Sequence, residues 1–173
     1  MKKKALFFDR DGTLIRSKLS KDKRPVAIKE FSELKIYPSV KKILEKLKKD
    51  YLIFIYTNQP DVGRKINTVC NVKKINNYLV KNLPIQKIYT CYCDSKKCKF
   101  RKPNIGAFMN AKKKFNIDLK NSFMIGDRWK DIDAGNSAKC KTILIDKKYN
   151  EKIKTKPDYT ISSFWELKKI FKF

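Results

Sequence analysis

Between residues 5 and 171, short apolar runs alternate with segments of helical period, and few folds accommodate that alternation. The runs at 5–8, 52–56, 85–89, 122–125, 142–145 and 158–161 are rich in β-branched and aromatic residues and predict strands. Between them lie helical repeats. Residues 39–49 place Val40, Ile43, Leu44 and Leu47 on one stripe, and 69–80 do the same with Val72, Ile75 and Leu79. Further helices are predicted over 105–115, 130–138 and 163–171. The pattern predicts an α/β fold, a mostly parallel sheet covered on both faces by helices. No repeat, low-complexity linker or Gly/Ser spacer interrupts it, so residues 1–173 are expected to form a single three-layer domain.

In such sheets ligands gather beyond the carboxyl ends of the strands, so the residues that follow each strand carry the functional information. The first strand runs into Asp9-Arg10-Asp11-Gly12-Thr13. Two carboxylates at this spacing can share a divalent cation through one side chain and one backbone carbonyl, and Gly12 permits a sharp turn. The second runs into Thr57-Asn58-Gln59, a hydroxyl and two amides suited to phosphoryl oxygens. Arg101-Lys102-Pro103 puts two cations ahead of a helix. The fourth runs into Gly126-Asp127, with Asp131 four residues on; a helix starting promptly would put both acids on neighbouring turns of one face. Each element alone is common. Acid, hydroxyl, cation and acid at successive strand ends form a set suited to phosphoryl transfer.

The chain contains no histidine, which excludes Ser-His-Asp hydrolases, phosphohistidine enzymes and HExxH zinc proteases. None of its five cysteines has an arginine six residues on, and none of its five glycines opens a phosphate-binding loop. The chemistry must therefore run on carboxylates, amines, hydroxyls or thiols.

Phe7-Phe8-Asp9-Arg10-Asp11-Gly12-Thr13-Leu14, Thr57-Asn58-Gln59-Pro60-Asp61-Val62-Gly63-Arg64, Arg101-Lys102-Pro103 and Ile125-Gly126-Asp127 resemble haloacid-dehalogenase-type phosphatases. Within that superfamily the resemblance is to the branch of heptose 1,7-bisphosphate 7-phosphatases and histidinol-phosphate phosphatases, and it spans roughly residues 5–146. It implies a Mg2+-dependent phosphomonoesterase in which Asp9 attacks phosphorus. Asp11 would protonate the leaving alcohol and then activate water. It further implies that Asp9, the Asp11 carbonyl and Asp127 hold the metal, and that Thr57 and Lys102 neutralise phosphoryl charge. Asn58, Gln59 and Arg101 would contact substrate, and Asp131 would orient a metal-bound water or the Lys102 amine. The segment 16–38 leaves no room for the large cap found elsewhere in the superfamily.

The family's zinc loop, Cys-x-His followed by Cys-x-Cys, is altered here. Cys91, Cys93 and Cys98 remain, with Cys93 where histidine is expected and Phe100 where the last cysteine is expected. A structural Zn2+ with Asp94 as a further oxygen donor, free thiols on a loop without metal, or a disulfide, which a cytosolic compartment disfavours, are all compatible with the residues. The preferred substrate is a small sugar phosphate, heptose 1,7-bisphosphate, with histidinol phosphate second.

A net charge of +26, from 43 basic and 17 acidic side chains, admits two readings. The lysines are scattered through every segment, as drift toward an AT-rich codon usage would leave them. They would equally attract anions, so a nucleic-acid 3′-phosphatase stands as the alternative of another class. Met1 to Lys4 is basic, but the apolar run behind it is too short for a signal peptide, and a cytoplasmic, monomeric enzyme without a membrane partner is expected.

Overall fold

The structure, a computed structural model, describes residues 2–173. Six parallel strands form its sheet: β1 (Ala5–Phe8), β4 (Leu52–Asn58), β5 (Lys87–Cys91), β6 (Phe123–Gly126), β7 (Lys141–Ile145) and β8 (Tyr159–Ile161). Their spatial order is β5-β4-β1-β6-β7-β8. The helices are α1 (Val40–Leu47), α2 (Pro60–Gly63), α3 (Val69–Asn82), α4 (Gly106–Phe115), α5 (Trp129–Ser137) and α6 (Leu167–Phe171). Two short strands, β2 (Lys18–Leu19) and β3 (Pro25–Val26), make a separate antiparallel hairpin.

Alternation along β1 builds two cores. Leu6 and Phe8 point to one face, where α1 contributes Val40, Ile43, Leu44 and Leu47, α3 contributes Ile75 and Leu79, and α6 contributes Leu167. Ala5 and Phe7 point to the other, against Ala107, Phe108 and Ala111 of α4 and Ala134 of α5. Phe7 stacks on Phe54 at 5.1 Å and meets Phe108 at 4.6 Å. A strand buried on both faces reads as a continuous apolar run, which is why ALFF signals β1 so clearly.

The α/β expectation holds, and the structure shows no inserted cap between β1 and α1. The segment 16–38 contains the β2–β3 hairpin and a 3-10 turn at Phe31–Glu33. Two other differences are local. Residues 163–171 form a 3-10 turn (Phe164–Glu166) followed by the short α6, and α2 is a single turn begun by Pro60. No helix among the described residues is long and apolar enough to cross a membrane.

After β1 the chain builds outward through β4 and β5, then returns to β1's other side for β6, β7 and β8. The reversal of direction lies beside β1. A crevice therefore opens beyond the carboxyl ends of β4, β1 and β6, the place where such sheets bind ligands.

Candidate active site

Asp9 is the first residue past β1, and its N–H donates to Ile125 O of β6 at 2.9 Å. Lys102 comes from the β5–α4 connection and is seated through its main chain. Asn58, the last residue of β4, donates to Lys102 O at 3.0 Å and accepts from Lys102 N at 2.9 Å. Tyr56 OH donates to Asn104 O at 2.6 Å, pinning the same connection. So placed, the buried Lys102 ammonium reaches Asp9 Oδ1 at 2.7 Å and Asp131 Oδ1 at 2.6 Å.

Asp131 stands in the first turn of α5, where its second oxygen accepts from Arg128 N at 3.0 Å and caps that helix. Gly126 makes room for it: a Cβ there would lie 2.3 Å from Asp131 Cγ. Because α5 begins only at Trp129, Asp127 lies in the connection before it and not on the helix face shared with Asp131. The turn after β6, not helical periodicity, brings the two acids together.

Asp9, Asp127 and Asp131 can bring one carboxylate oxygen each within 4.8 Å of one another, and all three are buried. Three buried carboxylates around one ammonium leave two negative charges unbalanced if all are ionised. Burial raises Asp9 to about 6, with Lys102 pulling the other way and Asp131 and Asp11 adding to the rise. Asp127 is raised by burial and by the Asp9 and Asp131 charges. Burial would lower Lys102, yet Asp131 and Asp9 outweigh it and hold the amine above its ordinary value. A cluster of hard oxygen donors carrying two surplus charges suits a divalent cation such as Mg2+.

Asp11 is oriented from behind. The Arg10 guanidinium, fully buried, donates from Nε to Asp11 Oδ2 at 2.9 Å and from Nη2 to Oδ1 at 3.3 Å. Its remaining nitrogen donates to Asn76 Oδ1 of α3 at 3.0 Å, and Asn76 Nδ2 donates to Thr90 Oγ1 of β5 at 3.0 Å. Gln59 donates to Asp11 Oδ2 at 2.8 Å and to Thr57 Oγ1 at 2.9 Å. The residues read as substrate contacts therefore divide. Thr57, Asn58, Arg101 and Lys102 line the cavity, whereas Gln59 is buried behind Asp11 and Thr57. Asn58 also spends its amide on the Lys102 main chain.

Asp9, Thr57 and Lys102 form the cavity floor, Pro25 and Val26 of the hairpin supply one wall, and Arg101, Arg128 and Lys130 stand at the rim. Lys130 is lowered chiefly by burial and then by the neighbouring Arg128 and Arg101 charges, with Glu151 and Asp131 pulling the other way. Two further residues escaped the sequence reading. Tyr149 OH donates to Asp127 Oδ2 at 2.8 Å, and Glu151 pairs with Arg128. Both sit in the irregular stretch between β7 and β8, where no periodicity marks a position.

In the cysteine loop, Cys91 and Cys98 sulfurs lie 3.4 Å apart, while Cys93 Sγ accepts from Ser95 N at 3.3 Å. Among the described residues the three sulfurs do not converge as a mutual set as the three aspartates do. Asp94, the candidate oxygen donor, takes two bonds from Arg64 at 2.8 Å each and one from Arg101 at 3.1 Å. Phe100, in the position of a missing ligand, stacks on Tyr89 with centroids 6.4 Å apart. Arg101 Nη1 donates to Cys93 O at 2.6 Å, and Asn104 Nδ2 to Lys96 O and Cys98 O at 2.9 Å. Burial and the Cys98 sulfur raise the Cys91 thiol to about 11, whereas hydrogen bonds to the Cys91 thiol and the Phe100 main chain lower Cys98. Cys91 and Cys98 are thus paired, while Asp94 is engaged by arginines and Phe100 by Tyr89.

A model of the polynucleotide kinase 3 phosphatase family matches residues 4–162. The chain belongs to that family of haloacid-dehalogenase-type phosphatases. Curated relatives of this phosphatase include D-glycero-alpha-D-manno-heptose-1,7-bisphosphate 7-phosphatase of Campylobacter jejuni, 33% identical over 84% of this chain and 83% of the relative. The beta-anomer enzyme of Pasteurella multocida is 30% identical over 98% of this chain and 97% of its own. Among solved structures, the D,D-heptose 1.7-bisphosphate phosphatase of B. bronchiseptica, complexed with magnesium and phosphate, superposes with a TM-score of 0.69. At 22% identity, covering 82% of this chain and 79% of that one, it supports the shared fold.

Proposed function

We propose that this phosphatase is a Mg2+-dependent phosphomonoesterase that works through an aspartyl-phosphate intermediate on heptose 1,7-bisphosphate, releasing the 7-phosphate. The observation that carries the chemistry is the buried Asp9–Lys102–Asp131 arrangement, with Asp127 beside it, at the ends of adjacent strands. Asp9, Asp127 and the Asp11 carbonyl would hold the cation, which supplies positive charge to the transferring phosphoryl oxygens. Asp131 fixes the Lys102 amine. Asp9 attacks phosphorus as the bond to the leaving alcohol breaks, and Asp11 donates the proton that the alkoxide takes up. Water then attacks the phosphorus, Asp11 accepts its proton, and the Asp9–phosphorus bond breaks. Lys102 and Thr57 stabilise the charge spread over the phosphoryl oxygens, and Arg10 and Gln59 keep Asp11 aimed.

The substrate assignment rests on the curated relatives and on the rim. Lys130, beside Arg101 and Arg128 that are already paired with Asp94 and Glu151, offers positive charge for a second anionic group on the ligand, a feature a bisphosphate has and histidinol phosphate lacks. A second reading, hydrolysis of a nucleic-acid 3′-phosphate, draws on the matching family model and the net charge of +26. Phosphate release from both heptose 1,7-bisphosphate anomers, histidinol phosphate and a 3′-phosphorylated oligonucleotide separates the readings. The expected result is a kcat/KM for one heptose anomer at least about tenfold above the others, a preference of roughly 1.4 kcal/mol. Faster hydrolysis of the oligonucleotide would overturn the sugar assignment.

The cysteine loop enters this reading as a scaffold held by the Arg64–Asp94–Arg101 ion pairs and the Tyr89–Phe100 stack, without metal. Protein purified without chelator is expected to carry less than about a tenth of an equivalent of zinc by elemental analysis. A stoichiometric content would show that the thiols rearrange to bind it.

A further inference from the structure

Asp127 is tethered by a residue outside every recognised motif. Tyr149 OH donates to Asp127 Oδ2 at 2.8 Å, while Oδ1 has only a long contact, 3.4 Å, from Thr13 Oγ1. The phenol is itself held, with Ser17 Oγ 3.2 Å from its oxygen. The fit is close: a Cβ on Gly12 would come within 1.9 Å of Asp127 Oδ2 and 2.9 Å of Tyr149 OH. Gly12 has φ +87°, so the turn already favours glycine, and the packing gives a second reason for no side chain there.

The stretch that carries Tyr149 is anchored on both sides. Asn150 N donates to Lys23 O of the hairpin turn at 3.4 Å. Glu151 pairs with Arg128, Thr155 Oγ1 donates to Asp133 Oδ1 at 2.6 Å, and Lys154 lies 4.8 Å from the centre of the Trp129 ring. These contacts fasten the strap to the helix that follows Asp127, so the hydroxyl stands at a fixed place.

We propose that Tyr149 is a positioning residue for the cation site: its hydroxyl occupies Asp127 Oδ2 and so presents the other carboxylate oxygen toward the site shared with Asp9. This rests on the reading of Asp127 as a cation ligand. A free carboxylate rotates between orientations, and binding a cation must then fix it. A carboxylate already hydrogen-bonded on its far oxygen has less freedom to lose, and loss of such a partner typically weakens metal binding by 10- to 100-fold. Tyrosine suits the task because it is a donor on a rigid ring that excludes water from one side of the carboxylate.

The test is calorimetric titration of substrate-free protein with Mg2+, and with Mn2+ where heats are small. Tyr149→Phe removes the hydroxyl and keeps the ring. The expected result is a dissociation constant roughly 10- to 100-fold higher, with the melting temperature of the metal-free protein unchanged. An affinity within twofold of the parent would overturn the proposal, whatever the melting temperature does. Asp127→Asn is titrated alongside. If Asp127→Asn retains the parent's affinity, the assignment of Asp127 as ligand fails and takes this inference with it. If Asp127→Asn loses binding while Tyr149→Phe keeps it, only the inference about Tyr149 fails.

Discussion

An Asp9→Asn enzyme is expected to release phosphate at least about 10^4-fold more slowly than its parent while folding as the parent does, since removing a covalent nucleophile commonly costs that much or more. The two side chains have the same shape, and an amide oxygen can still accept from Lys102, which lies 2.7 Å from Asp9 Oδ1. Replacing a buried carboxylate by an amide also relieves repulsion with Asp131 and Asp11, two of the influences that raise Asp9. The melting temperature should therefore hold or rise. Phosphate release and thermal unfolding measured on one preparation separate loss of chemistry from loss of fold. Acid quenching of the parent in turnover should yield a phosphorylated peptide containing Asp9, and the variant should yield none. Turnover within tenfold of the parent would end the case for a covalent aspartyl phosphate.

Lys102→Met should lower both stability and activity, for one electrostatic reason. The ammonium is the partner shared by Asp9 and Asp131, and both its ion pairs are buried. Removing one member of a buried ionic group typically costs about 3–5 kcal/mol, because the charges left behind stay desolvated. In a chain of this size that lowers the melting temperature by roughly 10 °C. The sign of the pH dependence follows from the carboxylates. A folded-state pKa above the unfolded value of about 4 means that protonation favours the folded state. Stability in the chelated variant should accordingly be highest below pH 4 and decline as pH rises through about 6 and beyond. The lower limit is the ordinary aspartate value; the upper reflects Asp9, already about 6 with the lysine in place. Melting curves from pH 4 to 8 in EDTA check this, and a variant whose deficit relative to the parent shrinks toward high pH would contradict it. Activity should fall by about 10^3-fold, since the lysine also faces the transferring phosphoryl group in the proposed reaction.

How much of this was legible in the chain depends on whether the partners are local. Strands such as ALFF and FMIG are buried on both faces, so each reads as an apolar run whatever surrounds it. Asp9, Thr57 and Asp127 follow strand ends, a position that can be located without knowing the neighbours. Arg10 shows the limit. A charged residue beside a strand looks exposed, yet it is fully buried because Asn76 and Asp11 take up its hydrogen bonds. Asn76 comes from the middle of α3, where the periodicity marks Ile75 and Leu79 as core and says nothing of an amide between them. Gln59 follows Asn58 in a motif that resembles a substrate-contacting one, but its amide is taken up by Asp11 and Thr57, partners no local pattern reveals. Tyr149 lies in a stretch with neither period nor turn signature, and a single long-range hydrogen bond gives it meaning. The single-turn α2 and the two-residue strands of the hairpin are too brief to produce a repeat at all.

The short hairpin has a consequence for what a good substrate must be. Enzymes with large caps close them over each ligand, expel water and reopen, so turnover carries the rhythm of a hinge. Here β2 and β3 are two residues each, and the wall on their side is short, made by Pro25, Val26 and Ala27. In the proposed reaction no moving roof would dry the phosphoryl group before attack. The part of the ligand lying across the mouth would have to do so itself. A ligand trimmed to its reacting phosphate would then arrive without a lid, and its loss would fall on the rate of the chemical step as well as on binding.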